Sequence, residues 1–148
     1  MPHKVPAEHN HGGRVMRLVG PFTYTVSWAA LAAAAQASTE SIYIPTDADF
    51  MWLSTSYQAD IAGAALTHSS AVVPLVTLQL SLTSNPFTDS ETPLAGLAGG
   101  PVEGPRPLSE PFWLFGGATL DLSARNYSAG TDYHLFVALH GYKYKPAG

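Results

Sequence analysis

Along most of the chain, apolar and polar residues change places at every second position, the period of strands with one buried face. Phe22, Tyr24, Val26 and Trp28 alternate with Thr23, Thr25 and Ser27, which predicts a first strand with Trp28 in the core. Phe50 to Tyr57 predicts a further strand, with Phe50 and Trp52 on one face and Met51, Leu53 and Tyr57 on the other. The alternation is most regular from Val72, where Val72, Pro74, Val76, Leu78, Leu80 and Leu82 share a face opposite Thr77, Gln79, Ser81 and Thr83. Pro74 has no N–H for a ladder, so it marks a strand start or an edge. Residues 118–144 carry two alternating arms. In the first, Ala118, Leu120, Leu122 and Ala124 oppose Thr119, Asp121 and Ser123; in the second, Tyr133, Leu135, Val137 and Leu139 oppose His134, Phe136, Ala138 and His140. The connector holding Asn126, Ser128, Gly130, Thr131 and Asp132 predicts a β-hairpin between them, and apolar weight on both faces of the second arm places it inside a sheet.

Elsewhere the period fails. Residues 1–20 combine two prolines, a Gly-Gly pair and scattered charge, and are expected to form an extended arm ahead of one domain over 21–148. Val15, Met16, Leu18 and Val19 are its apolar residues, able to add to a sheet edge or a neighbouring subunit. The stretch AALAAAAQAS has high helix propensity but no polar face and too few residues for an independent helix. A short helical turn and an extended linker remain open there, with strand resuming over 36–44. Pro45 ends that strand and Thr46-Asp47-Ala48-Asp49 reads as a turn, since Asp side chains bond their own backbone two residues on. Residues 60–70 read as a connector. Residues 84–111 contain Pro86, Pro93, Pro101, Pro105, Pro107 and Pro111 with little periodicity, a long loop of the kind that contacts a partner. A short aromatic strand, Phe112 to Phe115, follows. Six or seven short strands without a helical stripe predict an all-β fold, an antiparallel β-sandwich of jelly-roll type.

With 148 residues the chain is expected to build one core. Charged residues make up only 12%, about half the usual share; either Ser and Thr cover the surface of a monomer, or much of the surface is buried against partners. There is no cysteine, hence no disulfide, zinc-thiolate site or thiol nucleophile. The run from Trp28 to Ala35 is too short to span a bilayer, and polar residues interrupt the N-terminus where a signal peptide would be apolar. A soluble, cytoplasmically assembled protein is therefore expected, without membrane contact. Residues 1–21 carry about +2 and the remainder about −6. Four Lys/Arg in that remainder cannot track a phosphate backbone, so no nucleic-acid partner is expected.

Candidate chemistry is sparse. His9 and His11 are two residues apart, His134 and His140 share a strand face about 20 Å apart along it, and His68 lies in a connector; no pair shows the spacing and carboxylate company of a metalloenzyme. Asp47 and Asp49 lack the further ligands of a calcium loop. Neither a metal site nor a cofactor is expected, and no catalytic set is evident. A spatially assembled carboxylate pair is left to the three-dimensional structure. Asn126-Tyr127-Ser128 matches a glycosylation sequon within the predicted turn and is discounted. Aromatics at Phe112, Trp113 and Phe115, or at Tyr142 and Tyr144, suit core packing, a subunit interface or a sugar-stacking platform.

Taken together, FTYTVSW, IPTDADFMW, VVPLVTLQL and NYSAGTDYHLFVALHGYK resemble segments of small virion structural proteins of tailed bacteriophages, over roughly residues 22–145. The resemblance is to jelly-roll accessory proteins that decorate or cement the capsid. It implies a non-enzymatic virion protein that binds and stabilises the phage shell, commonly as a homotrimer, with the major capsid protein or other virion proteins as partners. A neck, collar or tail component is the alternative, and a glycan-binding β-sandwich for host adsorption is the alternative of another class. The residues expected at a partner interface are Arg14, Met16, Arg17, Leu18, Phe112, Trp113, Phe115, Tyr142 and Tyr144.

Overall fold

A computed structural model describes residues 4–63, 74–83, 85, 86, 88 and 90–147. Ten strands and one helical turn follow in order: β1 (Glu8–His11), β2 (Arg14–Leu31), β3 (Gln36–Tyr43), β4 (Asp49–Ile61), β5 (Val76–Leu82), β6 (Asn85–Pro86), β7 (Thr92–Pro93), α1 (Leu94–Leu97), β8 (Arg106–Leu114), β9 (Thr119–Asn126) and β10 (Tyr133–Pro146). One sheet has the order β1-β2-β10-β4-β8, the other β3-β9-β5-β6, with β7 also on β5. Ladders between these strands are antiparallel, and the fold is an all-β sandwich. The predicted connector over 60–70 and the start of the strand at Val72 lie largely outside the described residues, His68 among them.

The period-2 pattern positions the core. Leu120, Leu122 and Ala124 of β9, Val76, Leu78 and Leu80 of β5, and Leu135, Val137 and Leu139 of β10 are all buried between the sheets with Val26 and Trp28. As its two apolar faces require, β10 is central, between β2 and β4. The predicted hairpin is not formed. β9 lies in one sheet and β10 in the other, so residues 127–132 arch across the sandwich instead of folding a strand back on its neighbour. The reason is Asn126. Its fully buried amide donates to Leu31 O (2.9 Å) and Thr131 O (2.8 Å), while its Oδ1 accepts from the Ser128 N–H (2.9 Å). The crossing of the Ala-rich stretch is stitched to this arch: Ala33 N donates to Asp132 Oδ1, Ala34 N to Ser128 O and Ala35 N to Asn126 O. That stretch is neither helix nor long linker. β2 runs to Leu31, and a tight turn with Ala34 and Ala35 at positive φ passes the chain to β3.

Three further expectations are corrected. Residues 4–20 are not a separate arm, because β1 and the first half of β2 form a hairpin that continues the sheet beside β10, from Leu18 against Tyr144 to Met16 against Pro146. The region 84–111 is structured in part: α1 packs Leu94 into the core, and β8 begins at Arg106, well before Phe112. Pro107 and Pro111 are tolerated there because β8 is an edge strand. The faces of β4 do not keep one parity. A bulge between Trp52 and Ser54 shifts the register, so Phe50 and Trp52 and then Tyr57 and Ala59 all reach the main core.

Met51 points the other way, into a second core with Met16 and Tyr144, partly covered by Val5, Leu18, Leu53, Trp113 and Tyr142. This sheet therefore curls at one end until side chains of its two edge strands, β1 and β8, meet: the His9 ring stacks on Trp113 at 4.0 Å. Residues 49–52 are buried on both faces for this reason. The curl brings backbone very close at Gly141, where a Cβ would sit 1.9 Å from Met51 O.

Candidate functional site

Two places on the curled sheet gather chemistry. The first lies where its edges meet. β1 alternates so that His9 and His11 share the inward face, and both reach one carboxylate oxygen of Asp49, the first residue of β4. His9 Nε2 is 3.0 Å and His11 Nδ1 3.2 Å from Asp49 Oδ2. The other carboxylate oxygen accepts the Gly116 N–H at 2.8 Å. Only glycine permits that approach, since a Cβ at 116 would lie 2.7 Å from Thr46 O and 2.8 Å from Ala48 O. His9 is held between Trp113, on which it stacks, and Tyr144, whose ring it meets edge-on at 5.1 Å. His11 stacks on Phe115 at 4.1 Å. The Tyr144 hydroxyl ties the preceding segment down by donating to Pro6 O (2.5 Å). Burial lowers the His9 pKa, with the neighbouring His11 acting in the same sense; Asp49 opposes both without overcoming them. The net effect favours the neutral imidazole over its ordinary balance.

The second place is the outward face of the same sheet. His140 on β10 joins its neighbours laterally: its Nε2 lies 2.7 Å from Ser56 Oγ on β4 and its Nδ1 3.2 Å from Thr23 Oγ1 on β2. A Ser–His contact invites a nucleophile reading, but Nδ1 meets a hydroxyl where a triad has a carboxylate. Depressions of about 490 Å³ and 340 Å³ flank His140, one beside Phe22, Leu53 and Tyr142, the other beside Phe136 and the wall Gly100–Pro101. A third of about 320 Å³ continues past Tyr57 toward Glu103 and Arg106. Tyr57 has its pKa raised by burial and, second, by Glu103. The result is a shallow groove of aromatic, hydroxyl and imidazole groups.

The nine residues expected at a partner interface separate here. Met16 and Tyr144 are interior, at 3% and 0% exposure. Leu18, Trp113 and Tyr142 pack against the same second core. Phe112 packs against the main core, edge-on to Trp52. Phe115 is exposed beside His11, Arg14 is exposed, and exposed Arg17 pairs with Glu8 at 3.2 Å. The His9–His11–Asp49 grouping was missed because 38 residues separate His11 from Asp49; the His-x-His spacing on a strand was its one local signal. Asn126, the sequon residue, is buried with its amide engaged.

No family model matches the sequence, and no curated protein matches it. Among solved structures it is similar to dimeric latent PorU from Porphyromonas gingivalis, with 10% identity and a TM-score of 0.34 over 86% of this chain and 13% of that one. The chain thus spans about an eighth of that protein's length, and a likeness of this degree carries no argument about function.

Proposed function

We propose that this chain is a structural virion protein that attaches to the assembled shell of a tailed bacteriophage and stabilises it, as a homotrimer bound to the major capsid protein or a neighbouring virion component. The observation that carries the reading is the surface. Among the described residues Val15, Val19, Phe22, Tyr43, Ile61, Leu75, Val102, Phe115 and Tyr127 are all exposed, on a chain with 12% charged residues. Isolated exposed apolar residues are ordinary, but nine of them with so little charge suit a subunit that buries surface on assembly. The resemblance of segments over 22–145 to capsid-decorating proteins points the same way. The mechanism is linkage: a protein that binds only the assembled shell adds its binding free energy to that state. Antibody against the chain should label purified particles of the phage encoding it, in hundreds of copies for decoration or about a dozen for a neck ring. Particles without the protein overturn the reading. Light scattering should give a multiple of 15.7 kDa, three-fold for the trimer.

The groove on the outward face favours a second reading, a glycan-binding module. Phe22, Phe136 and Tyr142 offer ring faces, and Thr23, Ser56 and His140 offer hydrogen-bonding groups between them. Screening the isolated protein on a glycan array tests it, and a hit lost in Phe136→Ala would replace the first reading.

A further inference from the structure

We propose that edge strand β3 is a self-association site, pairing antiparallel with β3 of a second copy about a two-fold axis at Thr39, so that two sandwiches share one continuous sheet. A sheet edge presents unpaired N–H and C=O groups, which template pairing with another chain unless something blunts them. The other edges of this molecule are blunted. β1 has four residues and meets β8 where their sheet curls closed, β8 carries Pro107 and Pro111, and the far edge of the second sheet consists of the two-residue strands β6 and β7, with Pro86 and Pro93. β3 has none of these devices. Its eight residues, QASTESIY, include no proline and no lysine, its ladder with β9 runs without a bulge, and among the described residues it pairs with β9 alone. Gln36 to Ser41 are exposed without a break.

The register assigns the open groups. Ile44 N donates to Ala118 O, continuing the β3–β9 ladder, and Thr83 N donates to Thr119 O, continuing the β5–β9 ladder. Because successive residues of β9 bond to opposite neighbours, the even-numbered residues of β3 bond to β9, and the N–H and C=O groups of Ala37, Thr39, Ser41 and Tyr43 point away from it. A second copy related by a two-fold axis perpendicular to the sheet keeps inner face beside inner face, so odd residues meet odd and even meet even. The two longest registers of that kind are centred on Thr39 and on Glu40. The second sets Glu40 directly against Glu40, a like-charge pair. The first sets Glu40 against Ser38, whose hydroxyl can donate to the carboxylate, with Thr39 against Thr39 and Ala37 against Ser41. It supplies about six inter-chain hydrogen bonds from the outward groups of Ala37, Thr39 and Ser41. This self-complementarity is what an isologous contact requires, and it selects a second copy as the occupant. Eight residues a side fall short of the roughly 20–30 of a standard interface, so the expected dissociation constant is micromolar or weaker. The inference does not rest on the virion reading: a two-fold contact at β3 takes one chain to two, or the trimer proposed above to six.

The test uses the full chain. Sedimentation velocity from about 5 to 500 µM, a range that spans such a dissociation constant, should show a reversible doubling of mass. Thr39→Pro removes an outward N–H and leaves the β9 ladder intact, so the far-UV circular dichroism should be kept while association weakens at least tenfold. The chain has no cysteine, so Thr39→Cys sets a single thiol at the axis, where the facing Cα atoms of a hydrogen-bonded pair are about 5.5 Å apart, within disulfide reach. Mild oxidation should give a covalent dimer of Thr39→Cys and none of Tyr43→Cys, whose two copies lie about 27 Å apart in this register. A mass that never doubles together with no Thr39→Cys cross-link would overturn the proposal, as would equal cross-linking of Tyr43→Cys. If the mass never doubles yet Thr39→Pro loses attachment to particles, the edge takes a strand of another virion protein and self-pairing is overturned.

Discussion

Met16→Ala asks most directly whether the N-terminal segment is structure or tail. Met16 is 3% exposed and sits with Met51 and Tyr144 in the second core. Truncating a buried Met, Leu or Ile to Ala costs about 2–5 kcal/mol, according to how far the surroundings collapse. Here the cover is thin, and partly buried Val5 and Leu18 can move in, so the lower part of that range applies, about 2–3 kcal/mol. With a urea m-value of about 1–3 kcal/mol per molar, the unfolding midpoint should fall by about 1 M. The measurement is equilibrium urea unfolding followed by tryptophan fluorescence, since Trp113 borders this core and Trp28 and Trp52 lie in the main one. Val19→Ala is the internal control: the same strand, but 61% exposed, and so expected within about 0.5 kcal/mol of the parent. If Met16→Ala unfolds no earlier than Val19→Ala, residues 8–20 are not part of the cooperative unit and the second core described above is wrong.

Other expectations follow from single contacts. Gly141→Ala forces a Cβ to within 1.9 Å of Met51 O, so backbone must shift; we expect an insoluble protein or a loss above about 3 kcal/mol by urea unfolding. Asn126→Ala strips two amide donors and one acceptor from the buried arch and should cost about 2–4 kcal/mol, whereas Asn126→Asp, which sets a carboxylate against the carbonyls of Leu31 and Thr131, should cost more. On the exposed face, hydrogen bonds from Tyr127 and then Arg125 hold the Glu91 pKa below 4.5. A carboxylate lowered on folding stabilises above its unfolded pKa and loses that contribution as pH falls through the folded one. Thermal melts should therefore show a small acid-side decline below about pH 4.5 that Glu91→Gln lacks; identical profiles for the two proteins would show that the contact is energetically silent.

What the sequence determined by itself was everything that depends on period. Alternation at 76–82, 119–126 and 133–140 is a local property of a strand with one side in water, and the residues assigned inward there are buried, except Leu82 at the end of β5, which is only partly covered. The all-β class and the central place of β10 follow from the same pattern. Tertiary structure decided which strand pairs with which, because hydrogen bonding between strands is not local. The turn 127–132 has the composition of a hairpin connector, yet Asn126 spends its donors on Leu31 and Thr131 and sends the chain across to the other sheet. The N-terminal residues lack a clean period because their sheet curls, which leaves part of the segment inside a second core and part on the outer rim. For the same reason the His9–His11–Asp49 grouping was illegible: β1 and β4 are separated in their sheet by β2 and β10, and only the closing of that sheet brings the three side chains to one carboxylate oxygen.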